Sequence, residues 1–195
     1  MIDRANRWNV QPGKTKLTKL SFLIEEGLTY IGCKALNFKF FKKHYGPMSK
    51  DMLTDIEQFG KNGLIIGKFA QVSRRGKELL KQFDDVFERN KEILKFIDDY
   101  TDNFSILSLD KIKNKAYNTE VYDEGFGTFM KVKDIPEDTD LIWRLDEDKA
   151  DFVFDIKDEE LDTLAIYFDE ESYTSLKEAL EEAKSQRSHV YGGMD

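Results

Sequence analysis

The chain has 195 residues, 40% of them apolar and 13% aromatic, with a formal net charge of −8; this suits one ordinary domain or two small ones, with apolar content enough for a core. It contains no run of eighteen apolar residues, its N-terminal MIDRANRWNVQPGKTK lacks an apolar signal centre, and Cys33 is its one cysteine. A membrane span, secretion and an internal disulfide are therefore not expected, and the expected location is cytoplasmic.

In chain order, residues 1–12 contain two arginines, Trp8 and Pro12 without a period and read as an arm that packs through Trp8 or stays loose. A helix is expected from Thr15, with Leu17, Leu20, Leu23, Ile24 and Leu28 on one face. Lys14, Lys16 and Lys19 should face water, the Glu25-Glu26 pair should be solvated, and Gly27 or Gly32 should end the helix. Cys33 reads as a small buried residue. An aromatic-basic segment, Phe38 to Tyr45, is stopped by Gly46-Pro47. Ser49 then caps a helix carrying Met52, Leu53, Ile56 and Phe59, which Asn62-Gly63 ends. Leu64–Ile66 and Phe69–Val72 flank Gly67-Lys68 as a hairpin would, and Ser73 caps a further helix with Leu79, Leu80 and Phe83. This middle stretch looks like a winged-helix-type binding module.

Asp84 to Tyr100 reads as one amphipathic helix with Val86, Phe87, Ile93, Leu94 and Ile97 inward. SLDKIKNKAYN reads as a short helix with Leu109, Ile112 and Tyr117, on which Lys111, Lys113 and Lys115 form a basic patch. The pattern then changes. Residues 1–119 carry 22 Lys and Arg against 15 Asp and Glu, a surplus of seven, whereas residues 120–184 carry 7 against 22, a deficit of fifteen. The acidic part either solvates the protein, binds a basic partner or folds over the chain's own basic surface. Expected strands there are Phe126–Val132, Asp140–Leu145, Asp151–Ile156 and Leu164–Phe168. A last helix follows from Asp169 with Tyr173, Leu176, Leu180 and Ala183 inward, and the tail 185–195 is expected to be loose. The expected fold class is α+β: a mostly helical winged-helix-like module over residues 1–119 and a small acidic α/β extension over 120–195.

The motifs that resemble reactive or ligand-binding sites are incomplete. Gly13-Lys14-Thr15 has Trp8 where a phosphate loop needs glycine, and Gly125-Phe126-Gly127 has Met130 where a dinucleotide fingerprint needs its third glycine. The acidic run from Asp146 has Asp151 where a calcium loop turns on glycine, and His44, His189 and Cys33 are too scattered for a closed zinc site. No catalytic residue, metal or cofactor is expected. A DNA-reading role for the helix from Lys50 to Lys61 is opposed by Asp51, Asp55 and Glu57 on its exposed arc. The expected site is a macromolecular contact surface built from Phe40, Lys42, Lys43, His44, Tyr45, Gly46, Pro47 and Ser49, with Arg74 and Arg75 beside the hairpin.

The segment KLTKLSFLIEE, the closing Tyr45-Gly46-Pro47-Met48-Ser49, the Leu53-Ile56-Phe59 helix and Gly63-Leu64-Ile65 together resemble the Panacea domain family of SocA/GepA-like antitoxins and their YwgA-like relatives, over roughly residues 14–80. The tryptophan often found before the Gly-Pro in that family is replaced by Lys43-His44-Tyr45, and the acidic C-terminal part lies beyond the match. The resemblance implies a prokaryotic or phage-borne helical module whose members neutralise toxins by binding them directly, some serving as proteolytic adaptors. It implies a non-enzymatic protein whose partner is another protein, such as a co-encoded toxin. A winged-helix regulator binding DNA through Lys50, Lys61, Arg74 and Arg75 stands second, no membrane partner is expected, and the oligomeric state is left open.

Overall fold

A computed structural model describes residues 1–68, 70–123, 125–169 and 171–179. The N-terminal arm is a helix, α1 (Ile2–Arg7), and it is anchored at a distance. Arg4 Nε donates to Asp102 Oδ1 at 2.7 Å and Trp8 Nε1 reaches the same oxygen at 2.8 Å. The Arg4 bond, with that of Trp8 behind it, holds the Asp102 carboxyl down at about 2.

The central element is α2 (Lys14–Tyr30), in which every residue from Leu17 to Glu25 is buried, as are Gly27 and Leu28. A helix with one apolar stripe leaves its other face to water; one covered on all sides lies inside the core. This corrects two expectations. Lys19 is 3% exposed and not turned to water, and Glu25 is 3% exposed with Glu26 half-buried, so the acidic pair is not solvated. Gly27 does not end the helix. A Cβ there would lie 2.7 Å from the Tyr100 hydroxyl and 2.8 Å from the Phe96 ring, so glycine permits the close approach of a neighbouring helix. The chain turns instead at Gly32, whose φ is +65°.

Strands β1 (Cys33–Lys34), β2 (Phe40–Lys43) and β3 (Gly46–Met48) follow, then helix α3 (Lys50–Lys61). Ser49 Oγ accepts from Met52 N at 3.3 Å and caps α3 as expected. The expected hairpin after α3 is present as β4 (Ile65–Ile66) and β5 (Gln71–Val72), paired Ile65 to Val72 and Ile66 to Gln71, with Gly67 at φ +80°. Phe69, placed in its second strand by the sequence pattern, lies outside the described residues. Helix α4 (Arg74–Gln82) is capped by Ser73, whose Oγ accepts from Gly76 N at 3.0 Å.

The single helix expected over 84–100 is two, α5 (Asp84–Arg89) and α6 (Lys91–Ser105). They part at Asn90, whose side chain donates to Val86 O and Asp155 O and accepts from Asp155 N. A polar side chain that serves two other backbone segments breaks the helical run between them. The expected short helix is α7 (Leu109–Asn118), capped by Ser108.

Beyond it come β6 (Glu120–Asp123), β7 (Thr128–Lys131), β8 (Asp140–Ile142) and β9 (Phe152–Val153). The sheet order β3-β2-β8 and the parallel pair β1-β9 carry these late strands back to the first part of the chain, with Phe40 opposite Ile142 and Cys33 opposite Phe152. One core therefore joins Leu20, Phe22, Ile24 and Leu28 of α2 to Phe40, Ile112, Val121, Val132 and Leu141. The compact unit runs from Met1 to Asp155, a second from Ile156 to Asp195. The expected boundary at 119/120 falls inside the first unit, between α7 and β6, because those strand pairings close across it.

In the second unit, residues 164–168 are helical rather than a strand, as part of α8 (Asp158–Phe168). Glu160 accepts from Lys157 N at 2.8 Å and three carboxylates occupy the first turn, where the helix dipole favours them. Residues 171–179 are helical; Leu180, Ala183 and the tail 185–195 lie outside the described residues. The chain is thus mixed helix and sheet, α+β, and no helix among the described residues is long and apolar enough to cross a membrane.

Candidate functional site

The expected contact residues do not form one surface. β2 and β3 make a hairpin in which Lys43 pairs with Gly46, Lys42 with Pro47 and Phe41 with Met48, leaving His44 and Tyr45 as its two-residue turn. Gly46 is at φ +83°, a value that favours glycine, and a Cβ there would come within 3.1 Å of the Tyr117 ring. His44 and Tyr45 project, Tyr45 being 72% exposed, with their rings edge to face at 4.9 Å. His44 Nδ1 lies 3.1 Å from Glu137 Oε1, Tyr117 donates to His44 O at 3.2 Å, and Lys43 is paired with Asp138.

Four of the other expected contacts are structural. Phe40 is fully buried against Phe22, with ring centroids 5.5 Å apart, and presents no surface to a partner. Ser49 is buried and committed to its cap. Gly46 and Pro47 are also buried, beneath α2 and α7, because β8 and α7 complete a layer that a local reading of the Gly-Pro turn does not contain. Lys42 is 6% exposed. Arg74 and Arg75 belong to α4. Arg74 stands almost wholly in solvent with Nε 3.0 Å from Glu78, and Arg75 is half-buried.

Beside the hairpin turn an open groove of ≈ 410 Å³ runs between α2, β3, α3 and α7, with Pro47, Met48 and Leu53 as apolar walls and Tyr45, Lys19 and Lys113 at its edge. Lys19 Nζ donates to Pro47 O at 2.7 Å. Its pKa is lowered to about 8, first by burial and then by the charges of Lys113 and Lys42. Lys42 Nζ lies 5.2 Å from the centre of the Tyr117 ring. Sequence reading missed Lys19 as a site residue, because its place next to the apolar Leu20 gives no sign that the polar side of α2 is covered. Lys113 was legible only as part of a basic patch.

A larger groove, ≈ 550 Å³, lies between α2, α3 and the β4–β5 hairpin, walled by Leu17, Ile56, Ile65 and Ala70. Its polar rim is already satisfied in part, since Lys14 is paired with Glu57 at 3.1 Å. The α3 carboxylate Asp51 is likewise matched by Arg144 at 2.8 Å. The same Lys14 lines the groove beside the turn, but that groove is the stronger candidate because Lys19 and Lys113 there have no ion pair among the described residues. Cys33 is a free, buried thiol whose pKa is raised by burial and by Glu25. Among the described residues no group of three or more His, Cys, Asp and Glu is placed to hold a metal. Protein-family models, curated proteins and solved structures were compared with the chain, and none matches it.

Proposed function

We propose that this protein is a non-enzymatic, antitoxin-like binding protein that neutralises a partner toxin by direct contact, with the β2–β3 turn and its groove as the docking surface. The observation that carries this reading is the projecting pair His44 and Tyr45 next to an apolar groove edged by lysines. An exposed tyrosine offers a large, rigid contact area at low entropic cost, and a desolvated pocket beside it is the usual setting for an interface anchor. Three of the segments carrying the Panacea resemblance, the start of α2, the Gly-Pro turn and, through Leu53, the α3 helix, line this groove and support the same assignment.

The test is co-expression with the product of the adjacent reading frame. The two should co-purify as a stable complex, and Tyr45→Ala in the intact chain should weaken it at least tenfold, about 1.4 kcal/mol. Failure of the unaltered pair to associate would count against the reading. A DNA-binding winged-helix regulator is the second reading, supported by the run α3, β4–β5 hairpin, α4 with Arg74 projecting from the start of α4. It requires salt-dependent duplex binding that weakens when Arg74 and Arg75 are replaced.

A further inference from the structure

The lysines around Pro47 are arranged in a way the fold itself does not need. Lys19 from α2 is 3% exposed and Lys42 from β2 is 6% exposed, yet both carry a group that is normally kept in water. Lys19 uses one of its three donors on Pro47 O. Lys42 sits opposite Pro47 across the strand pair, and Lys113, half-buried on α7, opens onto the same groove. Several nearby cations are matched: Lys14, which lines the same groove, with Glu57, Lys39 with Asp140, and Lys43 with Asp138. Lys19, Lys42 and Lys113 have no ion pair among the described residues, and the charges acting on Lys19 are those of the other two lysines, which repel it. Buried like charges without a counter-ion are unfavourable, and an anion entering the groove relieves that cost.

We propose that this groove is a carboxylate-docking site, filled by an acidic side chain on an apolar segment of the partner protein. The inference rests on the protein-binding reading above and gives the partner's contact segment its chemistry. Lys19 and Lys113 supply the counter-charge at the groove and Lys42 reinforces it from behind, while the partly exposed Met48 and Leu53 take the neighbouring apolar side chains. A nucleic-acid backbone fits less well. A chain of phosphates needs a basic track, whereas the walls here are apolar, Glu137 stands at the turn and the protein carries a net charge of −8.

The experiment titrates the full chain by calorimetry with an acetylated, amidated pentapeptide of alternating leucine and glutamate. A leucine-lysine peptide, a single-stranded oligonucleotide and inorganic phosphate serve as comparisons. Binding of the leucine-glutamate peptide, weakened at least tenfold by Lys113→Glu and retained in Lys113→Arg, is the expected result. Because Lys113 is half-buried on a helix surface, these variants report on the site even if Lys19→Met fails to fold. Equal binding of the two peptides, indifference to Lys113→Glu, or tighter binding of the oligonucleotide or phosphate would overturn the proposal. A toxin complex that forms equally well with Lys113→Glu overturns the carboxylate site and leaves the antitoxin reading standing. Peptide binding through Lys113 without any toxin complex does the reverse.

Discussion

The two hairpins on either side of α3 carry similar punctuation, a glycine at positive φ beside a short turn, yet they end in different surroundings. β2–β3 has Phe40, Lys42 and Pro47 buried beneath α2 and α7 and a third strand, β8, added to its edge. β4–β5 remains a two-stranded ribbon with Ile66 about half exposed. The difference teaches that turn residues set where a hairpin forms, whereas burial is set by whatever distant segments arrive to cover it. For function the consequence is that His44 and Tyr45 are the two exposed residues of the first hairpin, beside a groove made by the covering elements.

The sharpest test of the contrast is truncation of one apolar side chain in each hairpin. Phe40→Ala removes a ring packed edge to face on Phe22 and should cost about 3–5 kcal/mol by chemical denaturation, whereas Ile66→Ala should stay within roughly 0.5 kcal/mol. Comparable losses at the two positions would show that β4–β5 is covered on its outer face as well as on the face where Val72 is buried beside α1.

A second test uses the carboxyl buried behind the first hairpin. Glu25 is pushed up to about 7 by burial, against the opposing effect of the backbone N–H groups of Phe38 and Asn37, the segment that leads into β2. Its Oε2 has no hydrogen-bond partner among the described residues. The folded state therefore holds this proton more firmly than the unfolded chain, whose glutamate has its ordinary value of 4.5. Stability from this group is fully present below the unfolded value and is lost as pH rises through the folded one. Urea midpoints should fall between pH 5 and pH 8 by the equivalent of up to about 3 kcal/mol, and Glu25→Gln should flatten that fall. An unchanged slope in the variant would mean that Glu25 is not the titrating group.

Legibility in the sequence follows the same division between local and distant causes. The caps at Ser49 and Ser73, the turn at Gly67 and the apolar face of α2 depend on residues within a few positions of one another, and they are readable. The burial of Lys19 and Glu25 is not, because it depends on α6, α7 and the hairpin closing around the rest of α2. Nor is the extent of the first unit, which depends on two-residue and three-residue strands pairing across more than a hundred positions, as Cys33 does with Phe152. Such short strands carry too little alternation to announce a partner. At the candidate site, Tyr45 and the turn were legible for local reasons, and the Lys19, Lys42 and Lys113 cluster was not, because three separate elements contribute one residue each.

The smallest effects should be those that do not distinguish the hairpins at all. Ser49 and Ser73 each close the exit of one hairpin by capping the helix that follows, and each accepts from a backbone N–H three residues on. Ser49 is fully buried and Ser73 nearly so, but Ser73 also donates to Gly63 O, a bond that Ser49 has no counterpart for among the described residues. If capping is a local transaction between one hydroxyl and one amide, Ser49→Ala should cost about 1 kcal/mol despite its place beneath the core, and Ser73→Ala about 1–2 kcal/mol because a carbonyl is released as well. A loss at Ser49 well above that at Ser73 would mean that the layer over the first hairpin strengthens its local bonds too, and that the two hairpins differ in their turn chemistry as well as in what covers them.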